Sequence, residues 1–152
     1  MRLSNKGKYA VRALFDIAFY GNGSPTRVRS IARRQGIPLR FLEQIFQDLK
    51  RSRIVGSKRG PLGGYTLAQP ASRIRLGDVV RSIEGPVRLG GGGPPGARAP
   101  KRGEACSPRS PTDALLHDLS RRVEACLDAV SIADVCARAR QLGLQPDGRA
   151  ER

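Results

Sequence analysis

The fold of this chain follows from residues 26–51, TRVRSIARRQGIPLRFLEQIFQDLKR. Residues 27–35 suit a short helix, with Thr26 as its N-cap and Gly36 as the left-handed residue that ends it. Pro38 suits the first turn of the next helix, because the amide hydrogen that proline lacks has no partner there. Two helices joined by so short a turn predict a helix-turn-helix.

The second of these helices, residues 38–51, is predicted to have two faces. In a helix-turn-helix it lies in the major groove, so Arg40 and Gln44 are candidate donors to purine edges and Glu43 a candidate acceptor from cytosine. Alternatively, Arg40 is a phosphate contact or a solvated charge, and Glu43 favours the positive start of the helix. The apolar stripe expected on the buried face consists of Leu42, Ile45, Phe46 and Leu49.

Two further residues of this stretch are candidates for DNA contact. Phe41 is predicted to touch a thymine methyl or to support the neighbouring hairpin, with core packing as the alternative. Thr26 is a candidate at the start of the first helix of the pair.

A basic, glycine-rich β-hairpin is predicted directly after the helix-turn-helix. Residues 54–55 and 65–67 suit two short strands, and GSKRGPLGG, residues 56–64, suits the loop between them. A hairpin at this place is a wing. At its tip Lys58, Arg59 and Gly60 are expected to contact DNA, with Arg59 either in a narrow minor groove or on a phosphate.

The charge of the chain is concentrated in its first part. Residues 1–88 hold 18 basic and 5 acidic side chains, whereas residues 89–152 hold 10 and 8. A positive charge that is concentrated in one part of the chain favours nucleic acid over an anionic membrane as the partner. Since no apolar run approaches the roughly 20 residues of a spanning helix and no signal peptide is evident, the cytoplasm is expected. The residues expected to neutralise phosphates are Lys50, Arg51 and Arg53.

The expected fold class is mainly α with a small β-hairpin wing: a winged helix-turn-helix plus a long C-terminal dimerisation helix. Its first helix starts after Ser4 as N-cap, and Ser131 opens the terminal helix with a capping box. The predicted parts are a DNA-binding domain at 1–88, a flexible Gly/Pro-rich loop at 89–111, a dimerisation helix with a terminal helix at 112–143, and a disordered tail at 144–152. The apolar dimerisation stripe consists of Leu115, Leu116, Leu119, Val123, Cys126, Leu127 and Val130.

Four segments resemble one known family: MRLSNKGKYA at 1–10, LEQ at 42–44, RGPLGGY at 59–65 and LA at 67–68. They are similar to the Rrf-type winged helix-turn-helix transcriptional regulators (IscR/NsrR/CymR-like), nearly without gaps over 1–88 and more weakly at 110–141. The resemblance implies a homodimer on an imperfect palindrome of double-stranded DNA, crossed long helices as its interface, and usually repression.

The resemblance also raises the question of whether this chain binds an iron-sulfur cluster, because cluster-binding members of the family hold one with three loop cysteines. Here the loop has only Cys106, Ser110 occupies the place of the last loop cysteine, and Asp113 replaces a histidine ligand of the IscR-like branch. Lys8 stands where some members carry an acidic ligand. We therefore expect no cluster, with an atypical cluster or a redox-active thiol at Cys106 as alternatives.

The other two cysteines, Cys126 and Cys136, lie at apolar helical positions and are expected to be buried. The predicted function is a homodimeric, sequence-specific DNA-binding regulator acting as a repressor. One alternative is a cluster-less regulator controlled through a bound partner protein. A thiol enzyme built on Cys106 is not expected, because the only histidine, His117, has no Cys-His-Asx or metal-ligand spacing around it.

Overall fold

The computed structural model describes residues 3–89 and 110–146 of the chain. Most of the predicted loop, including Cys106, lies outside the described residues, as does the tail from 147 onward. The elements in chain order are α1 (Asn5–Tyr20), α2 (Val28–Gln35), α3 (Leu39–Arg51), β1 (Val55–Lys58), β2 (Gly64–Leu67), α4 (Leu76–Glu84), α5 (Pro111–Asp128) and α6 (Ile132–Gln141).

Helix α1 runs through the centre of the core. The Ser4 hydroxyl accepts a hydrogen bond from the backbone N–H of Gly7 at 3.1 Å, which confirms the predicted N-cap. Four apolar side chains on one face of the helix are almost fully buried. They are Ala10, Ala13, Leu14 and Ile17. Because α2, α3, α4 and α6 all pack against α1, this helix sets the positions of those four helices.

The helix-turn-helix is present as predicted, except at the start of its helices. Gly36 ends α2 in the left-handed region with φ 62°. The predicted cap at Thr26 is wrong: Arg27 occupies the N-cap position without a side-chain hydrogen bond. The physical reason is that Thr26 pairs with Tyr65 of β2 through its backbone, which extends the chain one residue further. Pro38 is the N-cap of α3 rather than its first helical residue.

The wing is an antiparallel pair in which Val55 faces Leu67 and Lys58 faces Gly64. Its first strand begins one residue later and runs further than predicted. Ile54 lies in the turn between α3 and β1, where its N–H donates to the carbonyl of Leu49 at 2.9 Å. The mainly α fold with a small hairpin is thus confirmed, whereas the proposed domain boundaries stay predictions.

The C-terminal helices return to the core. The capping box of Ser131 and Asp134 is present at the start of α6, as predicted, and Ile132 is fully buried. The hydrogen bonds from Ser131 also hold the pKa of the Asp134 carboxyl below its usual range. None of the helices in the described ranges is long and apolar enough to cross a membrane.

Gly77 provides a test of the contact between α4 and α5. A Cβ atom at Gly77 would lie 1.8 Å from Oδ1 of Asp128, whose carboxylate accepts two hydrogen bonds from Arg81 at 2.8 and 3.2 Å. We therefore expect Gly77→Ala to push Asp128 away from Arg81 and to lower the free energy of unfolding by about 1–2 kcal/mol in urea denaturation. The paired variant Gly77→Ala with Asp128→Ala should be no less stable than Asp128→Ala alone. A Gly77→Ala protein as stable as the parent would contradict this packing.

Candidate nucleic-acid interface

The polar face of α3 is exposed along its length. Arg40, Glu43 and Gln44 are all exposed near the start of the helix, where a groove-bound helix meets base edges. The predicted buried stripe is confirmed, since each of its four side chains is fully buried. The amphipathic pattern therefore leaves the three candidate base-reading residues free of core contacts.

Phe41 is half-buried at the junction of α1 and α3. Its ring meets the ring of Tyr9 edge to face, with centroids 5.7 Å apart. The aromatic ring that stacks on Tyr65 of the wing is that of Phe46, with centroids 4.3 Å apart, and support of the wing by Phe41 stays a prediction. The sequence pattern placed Phe46 in the core but gave no sign of this stack. Contact between Phe41 and a thymine methyl stays a prediction.

The base of the wing is fixed to the start of α2. Thr26 and Tyr65 exchange two backbone hydrogen bonds of 2.9 Å each. Gly64 permits this approach, because a Cβ atom there would lie 2.5 Å from the carbonyl oxygen of Thr26. The Thr26 side chain is only 8% exposed. Its observed part is thus to position the wing, and direct contact with DNA stays a prediction.

The three candidate residues at the tip of the wing are exposed to solvent. Lys58, Arg59 and Gly60 are exposed, and Gly60 adopts φ 108°, a conformation that favours glycine. The guanidinium of Arg27 donates a hydrogen bond to the carbonyl of Pro61, which ties the tip back to the helix-turn-helix. Sequence reasoning missed Arg27, because no local pattern relates it to a residue 34 positions away.

The three residues expected on phosphates lie around the end of α3, and all are exposed. The ammonium of Lys50 donates to the hydroxyl of Ser57 at 2.7 Å, which connects α3 with β1. Arg51 pairs with Asp48 at 3.2 Å. Arg53 adopts φ 57°, in the left-handed region that costs a non-glycine residue about 1–2 kcal/mol. Their contact with phosphates stays a prediction.

The predicted dimerisation stripe of α5 divides into two sets. Leu115, Leu119 and Val130 are 59%, 37% and 37% exposed, and Cys126 is also exposed. At 100° per residue Leu115, Leu119 and Cys126 lie within about a ninth of the helix circumference. The predicted place of Val130 on this helix is wrong, because α5 ends at Asp128 and the carbonyl of Val130 accepts a hydrogen bond from the N–H of Leu76. The other three, which are half-buried, are Leu116, Val123 and Leu127. The expected burial of Cys126 within the chain is wrong, since no element of its own chain covers that face in the described residues.

The opposite side of α5 is attached to the DNA-binding part by polar contacts. Ser120 accepts a hydrogen bond from the N–H of Leu89 at 2.9 Å, and Glu124 accepts one from the N–H of Val87 at 3.0 Å. Arg81 bonds Asp128, and this contact, followed by that with Asp78, raises the pKa of Arg81 above its usual range. Helix α5 is therefore held to α4 on one side and left apolar and exposed on the other.

The described residues do not fit a metal or cluster site. Within 3–89 and 110–146 no three His, Cys, Asp or Glu residues lie close enough to hold a metal ion. Ser110, where the resemblance implies a ligand, is instead the N-cap of α5, because its hydroxyl accepts a hydrogen bond from the backbone N–H of Asp113 at 3.1 Å. Cys136 is buried as predicted, and burial raises the pKa of its thiol.

Comparisons with known proteins agree with this geometry. A family model described as Rrf2, iron-dependent transcriptional regulator, matches residues 3–138. The chain is 37% identical over 138 residues to the HTH-type transcriptional regulator IscR of Yersinia enterocolitica, covering 89% of this chain and 79% of that protein. Among solved structures, IscR of T. potens is similar at TM-score 0.72 and 30% identity, covering 95% and 92% of the two chains. CymR, the global cysteine regulator of B. subtilis, is similar at TM-score 0.71 and 26% identity, covering 91% and 98%.

Proposed function

The chain belongs to the Rrf2 family of transcriptional regulators, and from this premise we propose that two copies of it repress transcription by binding one imperfect palindromic operator. It is a DNA-binding regulator and not an enzyme, in agreement with its IscR relatives. We further propose that it acts in the cytoplasm, where bacterial operators are. The observation that carries the proposal is one continuous surface, in which the exposed face of α3 is joined to a basic wing through Lys50 and Ser57.

The shape of this surface suggests which part of it contacts which groove of DNA. Helix α3 suits the major groove, where Arg40 and Gln44 reach purine edges and Glu43 accepts from a cytosine amino group. The wing then lies over the neighbouring minor groove with Arg59 at its tip. Because Arg27 and the Phe46–Tyr65 stack hold the wing against the helices, both parts meet the duplex in a fixed relation. Such a fixed relation favours recognition of sequence over general adhesion to a polyanion.

The second copy is proposed to pair through the exposed apolar stripe of α5. A helix face that exposes Leu115, Leu119 and Cys126, with Val130 exposed just beyond its end, is suited to burial against its own copy around a two-fold axis. Such a dimer presents two α3 helices to two half-sites, which explains a palindromic operator. Repression follows where such a site overlaps a promoter.

An atypical iron-sulfur cluster at Cys106 and control through a partner protein both stay predictions, since Cys106 lies outside the described residues.

Arg59→Ala tests the wing. We expect this variant to bind the operator about tenfold more weakly at moderate salt, because the wing loses the cation that enters the minor groove. The slope of log affinity against log salt concentration should also decrease in magnitude by about one, which corresponds to one lost ionic contact. The measurement is fluorescence anisotropy of the full chain on a duplex enriched by that chain from a random-sequence pool.

The matched control is Arg138→Ala, which removes an exposed arginine from α6 and should leave the affinity unchanged. If Arg59→Ala binds as tightly as the parent, the wing does not contact DNA. If the parent enriches no sequence at all, the proposed function itself is wrong.

A further inference from the structure

Leu62 is the most exposed large apolar side chain among the described residues, at 82%. It stands at the tip of the wing, three positions after Arg59, where a polar side chain would be compatible with the same turn. An exposed leucine is ordinary on a protein surface. Leu62, however, is held at the leading edge of a hairpin that is proposed to contact DNA.

The backbone around Leu62 is closely constrained. A turn is closed by the hydrogen bond from the N–H of Gly63 to the carbonyl of Gly60 at 2.9 Å. A Cβ atom at Gly63 would lie 2.4 Å from the carbonyl oxygen of Lys58, so the two sides of the loop are in contact there. The hydrogen bond from the guanidinium of Arg27 to the carbonyl of Pro61 fixes the residue that precedes Leu62. Leu62 is therefore presented in a defined position.

The surroundings of Leu62 identify its partner. The exposed cations Lys58 and Arg59 lie on the same loop, and Arg27 lies behind it. A surface that combines cations with one projecting apolar group matches the minor groove of duplex DNA, where phosphates flank walls of sugar C–H groups. An apolar protein surface would leave the cations without partners.

We propose that Leu62 packs into the minor groove beside Arg59 and selects against G·C pairs at the positions that the wing covers. The floor of the groove differs between base pairs only by the N2 amino group of guanine. Leucine offers no acceptor to that group and displaces the water that would otherwise bond it, so the amino group is left unpaired. Leu62 thus acts as a specificity-determining residue. This inference rests on the proposed contact of the wing with DNA.

The experiment changes that amino group alone. The duplex is again one that the full chain enriches, and its wing-covered pairs are those whose hydroxyl-radical protection is lost with Arg59→Ala. Each such A·T pair is replaced by inosine·C or by G·C, which present the same major-groove edges and differ in the minor groove by the N2 amino group. For the parent we expect G·C to bind about tenfold more weakly than inosine·C.

Leu62→Gln carries an amide oxygen that can accept a hydrogen bond from the amino group. This variant should therefore reduce the ratio of the affinity for inosine·C to that for G·C to about twofold, or invert it. Leu62→Ala should reduce it while also weakening binding to every duplex, since the packing is lost. Leu142→Gln, a change of another exposed leucine (67%) at the end of α6, should leave the ratio as in the parent. A Leu62→Gln ratio equal to that of the parent, or a parent that does not distinguish the two duplexes, overturns the inference while leaving the proposed function intact. Failure of the parent to bind any duplex overturns both.

Discussion

Leu119→Glu is expected to separate the proposed dimer into monomers and to lower the affinity for the full operator by at least about a hundredfold. Leu119 is 37% exposed in the single chain and lies within the apolar stripe of α5. In a symmetric interface the substitution places two carboxylates in an apolar contact, and their desolvation has no compensating partner. A monomer then binds half-sites singly, without the gain of about 10²–10⁴ that linkage of two binding modules provides.

Size-exclusion chromatography with light scattering measures the first effect, and anisotropy on full and half operators measures the second. Leu142→Glu is the matched control, because it introduces the same charge at an exposed leucine outside the stripe. Its mass and affinity should equal those of the parent. Since Leu119 is not buried in the chain, the thermal midpoint of a monomeric Leu119→Glu protein should report an intact fold. A Leu119→Glu protein that remains dimeric would show that another surface joins the two copies.

Local pattern was sufficient to predict the elements that bury one face. The spacing of Leu42, Ile45, Phe46 and Leu49 predicted α3, and the structure buries all four. Gly36 was predicted to end α2, and it does so with φ 62°. These features depend on helical periodicity and backbone sterics, which act between neighbours in the chain.

Features that depend on distant residues were not predictable in this way. Thr26 is not a cap because it pairs with Tyr65, which lies beyond the helix-turn-helix in sequence. Phe46 stacks on Tyr65 of the wing, a contact that the pattern did not predict, because tertiary packing decides which ring Tyr65 meets. Periodicity equally marked Cys126 as apolar without saying what covers it. The sequence pattern identifies an apolar face, but the fold decides whether the chain itself or a second copy buries it.

Asp16 illustrates how a buried polar group can position a DNA-binding unit. Its side chain is fully buried in α1, where most neighbours are apolar. It accepts hydrogen bonds of 2.6 and 3.1 Å from Arg34 and of 2.9 Å from Gln35, both on α2. The guanidinium of Arg34 also lies 5.4 Å from the ring centroid of Tyr20. One carboxylate thus joins the central helix to the first helix of the helix-turn-helix.

We expect Asp16→Ala to lower the free energy of unfolding by about 3 kcal/mol, because it leaves the arginine without its carboxylate and opens a cavity at a fully buried position. Urea denaturation followed by circular dichroism measures this. Asp16→Asn keeps the shape and part of the hydrogen bonding, so its loss should be about half as large. Asp118→Ala, which breaks the exposed pairs with Arg121 and Arg122, should leave the denaturation midpoint unchanged. If Asp16→Ala is no less stable than Asp118→Ala, the carboxylate does not hold α1 to α2. The position of the helix-turn-helix must then depend on apolar packing and on the remaining polar contacts of α1, those of Arg12 with Gln35 and of Lys6 with Asp48.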